Sequence, residues 1–253
     1  MIREPKKPIW DVESEILKTN ETALDRINQF FTDTLPQDPE FMAKIQNEVL
    51  KTGTTGVALK YKGGILLAAD KRVSAGYVVG KKAEKIHEIY KNVAMSISGM
   101  VSDAMSLVDV MKAELTLYEY ENGYSPSPAV AASLLGLIMH NMYRRTYGMF
   151  GYYVQLIVGG ADERGVYLFT IDPSGAVQED KYYAIGSGSL FSLSIIEDGW
   201  KEDMSKEEVK KLATNALKVS ISRDLYTGDG INYFFITKEG IERETINFKE
   251  IEA

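Results

Sequence analysis

The sequence predicts an α+β fold in which two antiparallel sheets lie between two layers of helices, a four-layer αββα sandwich. Three observations predict it. Strand-like segments follow one another through turns of hairpin length, which implies antiparallel pairing. Helical segments arrive in consecutive pairs and not after every strand, which argues against a doubly wound parallel sheet. Each helix pair also carries apolar surface to bury, and two sheets between two helical layers satisfy both pairs.

The first strand pattern alternates over residues 54–62; Gly63-Gly64 turns the chain, and residues 65–69 form an apolar run of the kind found in a buried strand. Residues 86–89 and 93–97 give two further short strands, and Gly99 ends the series. Ser102-Asp103 offers a helix N-cap, and Val108, Met111, Leu115 and Tyr118 then recur at helical spacing until Asn122-Gly123 stops the helix. Ser127 followed by Pro128 is a cap residue with proline at the first helical position. The helix over 130–143 is mostly apolar and therefore expected to be buried.

Strands resume over 152–158, 166–171 and 181–185, with a Pro173-Ser174-Gly175 turn between the last two. Two helices follow, over about 189–200 and 205–223. The second opens with the capping box Ser205-x-x-Glu208 and keeps Val209, Leu212, Ala213 and Ala216 on one face. A final strand over 231–237 runs into Lys238-Glu239-Gly240 and Ile241.

Residues 1–53 read differently. Prolines 5, 8, 36 and 39 bracket a polar stretch, and over 11–34 Val12, Ile16, Ala23, Ile27 and Phe31 supply the thin apolar stripe of an amphipathic helix. From composition alone this segment is an appendage, a flexible or interaction arm.

Composition narrows the chemistry. With 253 residues the chain can bury a substantial core. It has no cysteine, which excludes disulfides, thiolate metal sites and cysteine nucleophiles. The two histidines, His87 and His140, lie far apart with no partner at ligand spacing, so no metal site is expected and a base catalyst is not expected to be histidine. The net charge of −7 carries no clustered basic footprint for nucleic acid. No apolar run reaches spanning length and no signal core follows the basic N-terminus, so the chain is expected to be soluble and cytoplasmic, without a membrane partner.

There is no Walker A loop, dinucleotide fingerprint, HExxH or Gly-x-Ser-x-Gly elbow. Gly186-Ser187-Gly188-Ser189 lacks a following lysine and reads as a turn with a helix N-cap, not a phosphate cradle. The informative segment is Gly53-Thr54-Thr55-Gly56, an alternating strand, Gly63-Gly64, an apolar strand and then Asp70-Lys71-Arg72. On their own, threonines that open a strand are ordinary. Further motifs follow in order: Glu84-Lys85-Ile86, the stretch from Ser96 through Gly99 to Asp103, Met111-Lys112-Ala113-Glu114-Leu115, Gly186-Ser187-Gly188-Ser189, and Ser222-Arg223-Asp224-Leu225-Tyr226-Thr227-Gly228.

Together these motifs resemble the β subunits of the proteasome core, of archaeal type, and the resemblance runs from Gly53 through the rest of the chain. It implies the sandwich of the N-terminal nucleophile (Ntn) hydrolases and a threonine endopeptidase that needs no cofactor. It also implies that residues 1–53 are a propeptide removed when the subunit cuts its own Gly53–Thr54 bond, leaving 54–253 as the catalytic domain. Thr54 Oγ would be the nucleophile and the freed α-amino group its base; such an amine titrates at about 7.7–8.0 in model compounds. An amide nitrogen is not basic, so the uncut chain would be inert towards substrate.

Lys85 would favour loss of the hydroxyl proton as a nearby cation, and Asp70 would hold Lys85 by a charge-assisted bond. Arg72 would be supporting structure. The backbone N–H of Gly99 would donate to the oxyanion. Ser187, Asp224 and Thr227 would orient the amine and a water. Positions matching Val73, Ala83, Ile97, Val101 and Met105 line the first substrate pocket of such proteins, and all five are apolar here, which suggests cleavage after hydrophobic residues.

The implied partners are α subunits and other β subunits in stacked heptameric rings (α7β7β7α7), a regulatory ATPase reached through the α ring, and unfolded polypeptides as substrates. Three departures matter. Gly56 stands where many relatives have threonine or a β-branched residue, Thr227 stands where serine is common, and the stretch 76–84 is one residue shorter. Because of the last, the assignment of Lys85 over Lys81 or Lys82 rests on the following Ile86. Competing readings are a non-catalytic β subunit that only builds the ring, the bacterial two-ring threonine peptidase, and a sandwich-type binding module.

Overall fold

A computed structural model describes residues 53–74, 77–145 and 151–247. The helix expected over 11–34, and the rest of the expected propeptide before Gly53, lie outside the described residues.

One five-stranded sheet has the order β10-β1-β2-β11-β12, formed by Tyr182–Gly186 (β10), Thr55–Tyr61 (β1), Gly64–Asp70 (β2), Gly230–Thr237 (β11) and Gly240–Asn247 (β12). The other has the order β5-β6-β7-β8-β9: Ile86–Tyr90 (β5), Val93–Gly99 (β6), Val154–Asp162 (β7), Gly165–Ile171 (β8) and Val177–Glu179 (β9). Every neighbouring pair in both sheets is antiparallel, and Val73–Ser74 (β3) and Val78–Gly80 (β4) form a separate short ribbon.

The helices pair as the sequence predicts. Val101–Asn122 (α1) and Pro128–Arg145 (α2) cover the second sheet; Ser189–Gly199 (α3) and Lys206–Arg223 (α4) cover the first. Side-chain alternation assigns each strand residue to a layer. Along β2, Leu66 and Ala68 face α3 and α4, whereas Ile65, Leu67 and Ala69 enter the space between the sheets with Ile157, Leu168, Phe234 and Ile236. Along β6, Val93, Met95 and Ile97 face α1 and α2 beside Leu107, Met111 and Leu135. Three apolar interiors therefore separate four layers, and β2, covered on both faces, is buried throughout. This is the αββα sandwich expected from the pattern.

Local signals fared unevenly. The capping box at Ser205 is formed in both directions, with the Ser205 N–H donating to Glu208 Oε2 at 2.8 Å. Ser127 accepts from the Val130 N–H at 3.2 Å and Gly123 ends α1 at φ 73°. The stretch Gly186–Ser189 is a turn with the N-cap of α3 at Gly188, as expected. One cap differs from expectation: α1 starts earlier, at Val101, with Met100 as N-cap and no side-chain capping bond, and Asp103, inside the first turn, reaches across to the Tyr153 N–H. The short strands β3, β4 and β9 and the edge strand β12 were not anticipated. In β12 charged residues occupy an exposed edge, the composition that blunts sheet edges and hides a strand from hydrophobic patterning.

Replacing Ser205 with alanine removes one half of the capping box and is expected to cost about 1 kcal/mol. Urea denaturation of the full chain, with and without Ser205→Ala, measures the shift in midpoint.

Candidate active site

β1 and β2 are antiparallel with Gly56 opposite Ala69, so the end of β2 lies beside the start of β1. Asp70 ends β2 and is fully buried. Its Oδ1 accepts from Lys85 Nζ at 2.7 Å and from the Thr55 N–H at 2.9 Å. Its Oδ2 accepts from the Arg72 and Gly228 N–H groups, each at 3.0 Å. Four donors satisfy the carboxylate as an acceptor-only group. Without them, burying it would be prohibitive.

Lys85 approaches from the other sheet. It lies just before β5, where its carbonyl accepts from the Ile97 N–H at 2.9 Å. Burial pulls its ammonium below the ordinary lysine range, and the charge and hydrogen bond of Asp70 oppose that pull. Lys81 and Lys82 are exposed, so of the three candidate lysines it is Lys85 that is buried against Asp70.

A second cluster faces the Thr54 backbone. Thr54 is itself nearly buried and donates its N–H to Ser187 Oγ at 3.3 Å. Ser187 Oγ donates to Asp224 Oδ2 at 2.5 Å, and Thr227 Oγ1 donates to the same oxygen at 2.6 Å. Thr227 Oγ1 also lies 2.6 Å from Thr55 Oγ1. Because Thr227 has one hydroxyl hydrogen and gives it to Asp224, Thr55 is the donor in that contact. Thr55 thus touches both clusters, through its N–H to Asp70 and its hydroxyl to Thr227. Its place in the Gly53-Thr54-Thr55-Gly56 motif carries no sign of this bridging role. Arg72 supports the loop that carries Asp224: its Nε donates to Asp229 at 2.8 Å and its Nη1 to the Leu225 carbonyl at 2.9 Å.

A cavity of about 240 Å³ opens beside Thr54 and Lys85. Val73, Ala83, Ile97, Val101 and Met105, the five residues expected to line a substrate pocket, all border it, together with Ala104 and Gly99. Gly99 has φ +118°, and a Cβ there would lie 2.0 Å from the Tyr153 carbonyl oxygen, so only glycine fits. Among the described residues no group of three or more His, Asp or Glu side chains is placed to hold a metal ion.

Two glycines next to the threonines are fixed by their neighbours. A Cβ on Gly53 would lie 1.9 Å from Tyr226 Cβ and 2.8 Å from Ser187 Oγ in this uncut chain. At Gly56 a Cβ would lie 2.8 Å from Ser96 Oγ and 3.1 Å from Ile185, which explains the missing side chain there. β1 nevertheless keeps its register through Gly56.

Layers and topology define the class: this is the Ntn-hydrolase sandwich, with its first-strand threonine set beside a buried lysine–aspartate pair. The sequence model of the family described as Proteasome subunit matches residues 50–236. The chain is 39% identical over 204 residues to the proteasome subunit beta of Haloferax volcanii, covering 80% of this chain and 81% of that one. It is 41% identical over 198 residues to that of Methanocaldococcus jannaschii (77% and 86%) and 37% identical over 202 residues to proteasome subunit beta 2 of Thermofilum pendens (79% and 96%). The chain belongs to the proteasome beta subunit family.

The two members of the buried pair should respond differently to truncation. Asp70→Ala strands the Lys85 ammonium and three N–H groups, and is expected to cost about 3–5 kcal/mol. Lys85→Met leaves a carboxylate that still accepts three backbone bonds, and is expected to cost less. Urea unfolding of the two variants gives the order; a Lys85→Met loss equal to or larger than that of Asp70→Ala would contradict it.

Proposed function

We propose that this chain is a catalytic β subunit of a proteasome core, a threonine endopeptidase whose nucleophile is Thr54. The observation that carries the reading is the cavity, which is bordered both by Thr54 and by Lys85, the partner of the buried Asp70, together with apolar side chains.

The chemistry starts in the uncut chain. Thr54 Oγ attacks the Gly53 carbonyl carbon, the Gly53–Thr54 C–N bond breaks, and the acyl group passes to oxygen as an ester while the Thr54 nitrogen takes up a proton. Water then hydrolyses the ester, releasing Gly53 as a carboxylate and leaving Thr54 with a free hydroxyl and amine. In the mature subunit that amine accepts the hydroxyl proton as Oγ attacks a substrate carbonyl. Lys85 lowers the energy of the developing alkoxide, and its own low solvation strengthens that effect. The Gly99 N–H donates to the carbonyl oxygen as it takes on negative charge. The proton then passes to the leaving amine, and water resolves the acyl-enzyme.

Ser187, which contacts the Thr54 nitrogen and is itself held by Asp224 together with Thr227, would orient the new α-amino group through this network. The apolar wall favours cleavage after hydrophobic residues. By its family, such a peptidase would be confined within stacked rings with α subunits, fed with unfolded polypeptide through the α ring by an ATPase, in the cytoplasm.

Thr54→Ala is expected to lower hydrolysis of fluorogenic hydrophobic peptides by at least about 10⁴-fold without dissolving the assembly. Retained hydrolysis excludes this nucleophile, and an assembled wild-type particle that hydrolyses nothing leaves a ring-building role. Lys85→Ala is expected to block both processing and hydrolysis, whereas Lys82→Ala is expected to do neither; mass spectrometry and the same peptide assay separate the two.

A further inference from the structure

Gly99, which carries the assigned oxyanion donor, forms the last ladder pair of β6 with Val154 of β7. Just beyond that pair the turn into α1 is held by the Tyr153 peptide, which is engaged from both sides. Its carbonyl accepts from the Met100 N–H at 2.9 Å and lies within 2.0 Å of where a Gly99 Cβ would be, so it abuts the Gly99–Met100 turn directly. Its N–H donates to Asp103 Oδ2 at 3.0 Å.

Asp103 stands in the first turn of α1, where a carboxylate is the natural partner of the helix's own free N–H groups. It caps none of them. Burial pushes its carboxyl above the ordinary aspartate range, and the bond from Tyr153 works against that push. A costly, half-buried carboxylate is therefore directed at one peptide on another element.

We propose that Asp103 is a positioning residue for the reaction, acting through the Tyr153 peptide to hold the Gly99 N–H where the oxyanion forms. The inference rests on the reading of this chain as a Thr54 peptidase. Asp103 ties the helix that walls the cavity (Val101, Ala104, Met105) to the strand end that backs Gly99. Helix, turn and strand then move as one unit. Losing the tie leaves the pocket wall apolar and able to bind, but frees the donor to drift, and small displacements of a catalytic group cost rate.

The test uses the full chain in its assembled particle and a peptide ending in tyrosine linked to a fluorogenic aminocoumarin. Asp103→Ala is expected to lower kcat about tenfold or more while KM changes less than about twofold. Alanine is a good helix former, so α1 itself is not broken. Asp103→Asn, whose amide oxygen still accepts from Tyr153, is expected to restore kcat to within about threefold of the parent. Inhibition by the matching peptide aldehyde, whose adduct carries the oxyanion, should weaken in step with kcat. If Asp103→Ala does not assemble, Asp103→Ser, too short to reach Tyr153, takes its place under the same criteria.

An unchanged kcat in the truncated variant overturns the proposal. So do equal losses in the truncated and asparagine variants, whether in turnover or in assembly. Failure of the underlying reading is distinct: the wild-type particle would then be inactive, or Thr54→Ala would remain active.

Discussion

The Asp70 carboxylate is the constraint on which the rest of the site depends. It is fully buried and accepts four hydrogen bonds, from Lys85, Thr55, Arg72 and Gly228. Those donors come from the start of the first strand, the segment before β5 in the opposite sheet, the turn just after β2 itself, and the loop between α4 and β11. A charge in that place is tolerable only when all of them arrive together. Folding of both sheets is thus coupled to assembly of the cluster around Thr54. The same coupling holds a lysine in poor solvation with an ammonium weakened by burial, a state that an isolated surface lysine would not reach.

The sandwich explains why the cluster can exist at all. β2 is covered on both faces, so its last residue can project a carboxylate into the interior. β1 beside it delivers Thr54 and Thr55 to the same edge, and β10 brings Gly186 opposite Thr55, with Ser187 following it against Thr54. Gly186 adopts φ +91°, and a Cβ there would lie 2.0 Å from the Thr54 carbonyl oxygen. The uncut chain is accordingly gripped on both sides of the Gly53–Thr54 bond, by Tyr226 against Gly53 and by Ser187 against Thr54. A bond presented so rigidly suits an intramolecular attack, where orientation supplies much of the rate.

Much of the architecture was legible because burial writes itself into periodicity. The helix pairs, the hairpin turns and the doubly covered β2 all follow from apolar spacing. Edge strands did not, since β9 and β12 carry polar and charged residues that serve the edge and not the core. Caps were legible where the side chain has no competing partner, as at Ser127 and Ser205. The cap of α1 was misread at Ser102-Asp103: the helix starts earlier, and the Asp103 carboxylate is claimed by the distant Tyr153 N–H.

In the site, the family resemblance could nominate Asp70, Lys85, Ser187 and Asp224, but not the atoms that meet. Lys85 could not be told from Lys82 by spacing, and burial against Asp70 separates them. The bridging hydroxyl of Thr55 depends on a residue 172 positions away, which no local pattern records.

The most direct measurement is the mass and N-terminal sequence of the chain recovered from purified, assembled particles that hydrolyse peptides. The account predicts a chain that begins at Thr54, with the Gly53–Thr54 bond cut and a free threonine amine. Active particles whose chains retain residues 1–53, or begin at any other residue, would contradict it.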